Sequence, residues 1–259
     1  MNGNRVKRGI GVGLICLKGG RARADDLLPA DVREQVAKAA SKLPGMGIPD
    51  VYYPKNLYLG EWIVEENISS YDESTAVKTA VAIDFKLFQG LQSFATDGKP
   101  LRYKSYYIPA EGRVVLDRSA STSSFAAALL NSASASRGIS TQWSQQNPNL
   151  LTINDPSGQI VEYKVTKRST EVLSDTFDDG AIGYSEFTRV ACVNGKSIQY
   201  AVPSLYAMRT LVRYKPVPAE GSIEGIMRRY LYSSDTVDLG KPTPLVTVKS
   251  KFNMRRVKS

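Results

Sequence analysis

The clearest regularity in this chain is a two-residue alternation of apolar and polar positions, recurring from about residue 58 almost to the end. Between Gln159 and Lys167, Val161, Tyr163 and Val165 share one side, and Glu162, Lys164 and Thr166 the other. In the last run Val246, Val248, Phe252 and Met254 alternate with Thr247, Lys249, Lys251 and Asn253. Successive strand side chains point to opposite faces. The pattern therefore describes strands with one buried and one wet face, the habit of antiparallel sheets. Similar runs lie near 58–66, 77–88, 101–108, 112–118, 149–154, 184–193, 197–202, 207–214 and 223–232. Turn signals separate them: Asp97-Gly98, Glu111-Gly112, the stretch from Asp155 to Gly158, Asp179-Gly180, Asn194-Gly195 and Glu220-Gly221. Asn194-Gly195 is the strongest hairpin signal. The spacing predicts an all-β chain, an antiparallel barrel of roughly eight to ten strands.

Two segments depart from this period. Residues 29–43 place Val32, Val36, Ala39, Ala40 and Leu43 on one helical face behind Asp31, and Pro44-Gly45 ends them. A linker leads from there to Tyr52-Tyr53-Pro54. Ser119 to Ser136 is built almost wholly of small residues, with a short helix over Phe125–Leu130 capped by Ser123 or Ser124. It reads as a loop or lid inserted between strands. The resulting division is a leader over 1–24, a helix and linker over 25–50, and a barrel over 51–259 with its insert near 119–136.

The leader rests on three features. Arg5, Lys7 and Arg8 begin it, Gly9 to Leu17 forms a short apolar run, and Ala22-Arg23-Ala24 fits a signal-peptidase site. The run is too short to span a bilayer, and the mature chain is expected to begin at Asp25. The net charge of +9 is concentrated at the two ends. Residues 1–24 and the segment after Gly240 each carry six bases and no acid, and the body between is slightly acidic. A nucleic-acid binder carries its bases on a folded face, so nucleic acid is not the expected partner. The basic C-terminal tail offers a peripheral membrane contact. Of two cysteines only Cys192 remains after the leader, in an apolar run, and it reads as a small buried residue.

The chain contains no histidine. That excludes Ser-His-Asp and Cys-His mechanisms, and metal or haem held by imidazole. One mature cysteine excludes thiolate clusters. No catalytic, cofactor or metal residue is therefore assigned. Asp175, Asp178 and Asp179 lie close together, but their spacing does not match a calcium loop. The more informative polar groups are arginines at apolar strand ends: Arg118, Arg168 and the pair Arg228-Arg229. Such an arginine can pair with a carboxylate, stack on an aromatic ring or hold an anionic head group. Arg118, Arg168 and Arg229 are the candidate ligand-binding residues.

Leu59-Gly60-Glu61-Trp62 opens the first strand, and a Gly-x-Trp there resembles the start of a lipocalin-type barrel, whose tryptophan plugs one end. Tyr52-Tyr53-Pro54 precedes it, and further motifs follow in order: Arg102-Tyr103, Gly112-Arg113-Val114-Val115, Asn147-Pro148-Asn149-Leu150-Leu151-Thr152, Thr166-Lys167-Arg168-Ser169, Ser185-Glu186-Phe187-Thr188-Arg189 and Ile223-Glu224-Gly225-Ile226-Met227-Arg228. Their order over about residues 52–257 is similar to an uncharacterised domain family of plants, algae and cyanobacteria. That resemblance implies a thylakoid-lumen protein with no assigned reaction. The expectation is a non-enzymatic accessory protein of the chloroplast thylakoid lumen. It would bind a small apolar or anionic ligand, or dock on a photosynthetic membrane complex. The alternative is an enzyme using carboxylate or lysine chemistry in the barrel mouth.

Overall fold

A computed structural model describes residues 47–74, 86–130, 138–155, 158–194, 204–233 and 243–257. The leader, the helix over 29–43, the run near 197–202 and most of the run near 77–88 lie outside the described residues.

The predicted alternation becomes ten strands: β1 (Gly60–Glu73), β2 (Leu101–Ala110), β3 (Arg113–Leu116), β4 (Ser140–Ser144), β5 (Asn147–Asn154), β6 (Gln159–Val172), β7 (Ile182–Asn194), β8 (Ser204–Val217), β9 (Ser222–Ser233) and β10 (Val246–Arg256). Among the described residues three α-helices accompany them: α1 (Lys55–Tyr58), α2 (Lys86–Asp97) and α3 (Arg118–Leu129). Every strand pairs antiparallel with its neighbours in one strongly curled sheet of order β3-β2-β1-β10-β9-β8-β7-β6-β5-β4. The first and last strands pair with each other, Trp62 opposite Arg256 and Glu73 opposite Val246, as in a closed meander. The sheet is nevertheless open. Its seam lies between β3 and β4, the two edges, so the expected barrel is an open half-barrel.

α3 explains the seam. β3 is only four residues long, so it covers β2 from Tyr107 to Ala110 and no further. Beyond that point Ser124 Oγ accepts a hydrogen bond from Lys104 N at 2.8 Å, and Ser121 Oγ one from Tyr106 N at 2.9 Å. Two hydroxyls three residues apart on one helix face thus stand in for the missing strand partner. On the opposite edge Ser119 Oγ lies 2.6 Å from Thr141 Oγ1 of β4. The described part of the small-residue insert, up to Leu130, is therefore a helix with hydrogen bonds to both sheet edges; residues 131–136 lie outside the described residues. It starts earlier than expected, because Asp117 caps it, its carboxylate accepting from Ala120 N at 2.9 Å; neither Ser123 nor Ser124 does so. α2 also departs from the sequence reading, since residues 86–88 belong to a helix rather than a strand. Its Leu87, Phe88 and Leu91 are buried. Gly90 lets α3 approach closely, because a Cβ there would lie 3.4 Å from Leu129 Cβ.

The concave face carries three layers. One apolar cluster lies around Trp62, Val64, Tyr53, Tyr58, Tyr107 and Tyr214, and the other around Leu87, Leu91, Leu101, Leu231, Val246 and Val248. Trp62 donates from Nε1 to Tyr58 O at 2.6 Å, with Arg256 over its ring. Of the expected core, Trp62, Val64, Val161, Val165, Val246, Val248 and Phe252 are buried, and Tyr163 is half-buried. Replacing Trp62 with Ala is expected to cost about 3–5 kcal/mol in urea unfolding. Phe252 leans over Gly225, where a Cβ would meet its Cζ at 2.1 Å, so only glycine fits there. Between the clusters, each inward row turns polar: Glu66 on β1, Ser250 on β10, Arg229 on β9, Thr210 on β8, Glu186 and Thr188 on β7.

Candidate functional site: a buried polar belt and its cavities

The belt follows from strand register. Arg168, Glu186, Thr210 and Arg229 stand opposite one another across β6, β7, β8 and β9. Arg168 reaches this face only because a bulge between Val165 and Lys167 shifts the alternation by one residue. Without it, Arg168 would face out and Lys167 in.

Two ion-pair groups fill the belt. In the first, Arg118 at the start of α3 grips Glu186 with both terminal nitrogens, at 3.1 and 2.9 Å, and reaches Asp50 Oδ1 at 2.9 Å. Arg168 donates from Nε to Glu186 Oε2 at 2.8 Å and lies 3.4 Å from Asp50 Oδ1. Asp50 comes from the segment before α1. That segment is held by Asn149 Nδ2 donating to Ile48 O at 2.8 Å and by Arg168 donating to Pro49 O. In the second group Arg229 forms a two-pronged pair with Glu66, at 2.6 and 3.0 Å, and Tyr103 OH donates to Glu66 Oε2 at 3.0 Å. The Arg229 guanidinium also lies 5.3 Å from the Phe125 ring centre.

These contacts set the charge states. Burial alone would raise the Glu186 carboxyl, but the Arg118 and Arg168 guanidiniums outweigh it and bring it down to about 2. Glu66 is likewise pushed up by burial and taken below the ordinary carboxylate range by Arg229 and its hydrogen bonds. Two cations meet two anions in the first group and one meets one in the second, so the belt is electrically balanced.

The three arginines singled out from the sequence all lie in this belt. Arg118 and Arg168 converge on one carboxylate, and Arg229 has its own. Arg118 and Arg229 also border a common cavity of about 180 Å³ beneath α2 and α3, walled by Phe88, Leu91, Phe125, Leu151, Val165 and Met208. A second cavity of about 170 Å³ shares Thr122, Phe125 and Arg229 with it and extends toward Tyr103, Tyr184 and Phe252. Sequence reading missed Glu66, Glu186, Asp50 and Asn149 as partners. Glu66 was findable, because it shares the parity of Trp62, Val64 and Ile68, and an acid on an apolar strand face needs a cation.

Four buried polar atoms at the first group have no partner among the described residues: Asp50 Oδ2, Arg118 Nε, Arg168 Nη2 and Asn149 Oδ1. Two belong to residues that line the 180 Å³ cavity, a donor on Arg118 and an acceptor on Asn149. Asp175, Asp178 and Asp179, by contrast, sit in an exposed turn, where Asp179 accepts from Thr176 N.

A family model described as a domain of unknown function, DUF6816, matches residues 45–258, well over half of the chain. The chain belongs to the DUF6816 family. The match begins just before Asp50 and includes the strands, α2, α3 and all six charged residues of the belt, so the site lies within the DUF6816 domain. No curated protein matches the chain.

Proposed function

We propose that this protein is a non-enzymatic binding protein that holds a small, neutral, largely apolar molecule bearing one hydroxyl or carbonyl end. The molecule would occupy the concave cavities beneath α3, in a lipocalin-like manner. One observation carries the reading: the cavity is walled by aliphatic and aromatic side chains, yet its lining includes Arg118 and Asn149, each holding a buried polar atom without a partner among the described residues, Nε and Oδ1. Buried polar atoms are ordinarily satisfied, so a ligand group offering one acceptor and one donor fits them. The charge balance favours a neutral ligand over an anionic one. Each arginine already faces a carboxylate, and a second anion would meet Glu186 or Glu66 uncompensated. Together the two cavities fall near the lower end of the roughly 300–1,000 Å³ typical of ligand pockets.

Carboxylate catalysis is the weaker reading. A general acid needs a carboxyl poised near the working pH, whereas Glu186 and Glu66 are held low. Among the described residues no lysine is buried, which removes support from a lysine imine. The leader and the family resemblance support a thylakoid-lumen location, with service to a photosynthetic membrane complex as the wider role.

Native mass spectrometry of gently purified protein, followed by extraction, tests the proposal. The expected result is a neutral adduct of one molecule per chain, absent from Met208→Trp, which fills the cavity. A bare mass from folded protein, or an anionic adduct that survives this substitution, would overturn it.

A further inference from the structure

We infer that the convex face of β8, β9 and β10 is a docking surface for the anionic headgroups of a lipid bilayer. This inference does not depend on the concave cavities. Outward positions on these three strands carry Arg209, Arg213, Lys215, Arg228, Lys249, Lys251 and Arg255, against Glu224 as the one acid. Register draws four of them together, with Arg213 opposite Ile226 and Ile226 opposite Lys251, and Arg228 opposite Lys249 in the next outward row. Lys249 lies 3.8 Å from Asp72. Among the described residues, Arg213, Lys215, Arg228 and Lys251 make no ion pair, and all four are exposed.

The neighbouring strands show that this is not a general property of the outer face. On β1 and β2 each outward base meets an acid: Lys104 pairs with Glu61 at 2.6 Å and Arg102 with Glu65 at 2.9 Å. On β8 to β10, among the described residues, only Lys249 has such an acid, Asp72 of β1, and Glu224 is the one outward acid, while apolar residues lie between the cations. Ile226 is 43% exposed and Leu173 37%. Two adjoining depressions, of about 310 and 790 Å³, share Arg213 and Ile226. The first has a floor of small residues, Ser169, Gly183 and Ser185, beside Arg228; Glu171 also lines it.

The occupant follows from composition. Protein interfaces deplete lysine and centre on aromatic anchors. Around Ile226 and Leu173 lysines and unpaired arginines surround short aliphatic side chains, with the stacked pair Tyr230–Tyr232 beyond them on β9. A bilayer offers mobile anions, for which charge density is enough, and an adjoining apolar zone for Ile226 and Leu173. Each surface base adds attraction toward an anionic membrane, screened by salt.

Co-sedimentation of the full chain with phosphatidylglycerol vesicles tests this, with phosphatidylcholine vesicles and inorganic phosphate as the other arms. The acid-free basic leader also attracts anions, so all arms are repeated in an Arg5→Glu/Lys7→Glu/Arg8→Glu background. There the chain is expected to bind phosphatidylglycerol and not phosphatidylcholine. Arg213→Glu/Arg228→Glu is expected to weaken that binding at least tenfold, without moving the urea midpoint. Inorganic phosphate at millimolar concentration is expected not to compete. Binding unchanged by the reversal would overturn the inference. So would equal binding to neutral vesicles, full competition by free phosphate, or a reversal that spares vesicles while abolishing binding to an acidic polypeptide.

Discussion

Arg228 and Arg229 are neighbours in the chain and opposites in the molecule. Arg229 points into the curled sheet, is 9% exposed and is gripped by Glu66 with two short hydrogen bonds. Arg228 points outward, is exposed and makes no ion pair among the described residues. The same contrast extends to the surrounding groups. Every belt arginine on the concave face is paired with a carboxylate, whereas among the described residues four exposed bases on the convex face make no ion pair, even Lys215, which stands opposite Glu224. Strand parity thus decides what an arginine does here. Inside, it completes a buried balanced pair that specifies the fold. Outside, it remains available to a partner.

The largest effect is expected inside. Glu66→Leu or Arg229→Met alone leaves an uncompensated buried charge and is expected to cost about 3–5 kcal/mol. The double variant Glu66→Leu/Arg229→Met removes both charges and is expected to recover most of that loss. Urea unfolding of the three chains checks it, and additive losses would show that the pair does not act as a unit.

Acid should act on the same face. Glu186 has a folded pKa below its unfolded value, so its contribution is present above about pH 4.5 and is lost as pH falls toward about 2. The loss is about 3 kcal/mol from this residue, with Glu66 acting in the same direction. Between pH 7.5 and 5.5 stability should be flat, since neither carboxylate titrates there and the chain has no histidine. A midpoint that rises on acidification would contradict the paired state of the belt.

Smaller effects are expected at the ligand end and outside. Asn149→Leu removes one unpartnered acceptor but also the Nδ2 bond to Ile48 O. Its net cost should be about 1–2 kcal/mol, measured in urea. Arg213→Gln should change stability by less than about 0.5 kcal/mol, as for an exposed strand residue without partners.

These contrasts also mark what could be read from sequence. Parity placed most of the core correctly, and Glu66 and Arg229 could have been matched from it, because both fall on the apolar side of their strands. Arg168 could not, since a bulge reverses its parity and nothing in Val165-Thr166-Lys167-Arg168 announces one. Asp50 was invisible for another reason: it comes from a linker, and only the folded chain brings it between Arg118 and Arg168. The seam between β3 and β4 needed pairing information that composition does not carry. The serines of α3 looked like filler until their hydroxyls met the β2 edge. α2 was legible and overlooked: Leu87, Phe88, Leu91, Phe94 and Ala95 recur with helical spacing.

The most direct test compares Arg228→Ala with Arg229→Ala in urea under identical conditions. The expected result is a midpoint near wild type for the first and a loss of about 3–5 kcal/mol for the second. Equal losses in the two variants would contradict the division between a paired inner face and a free outer one.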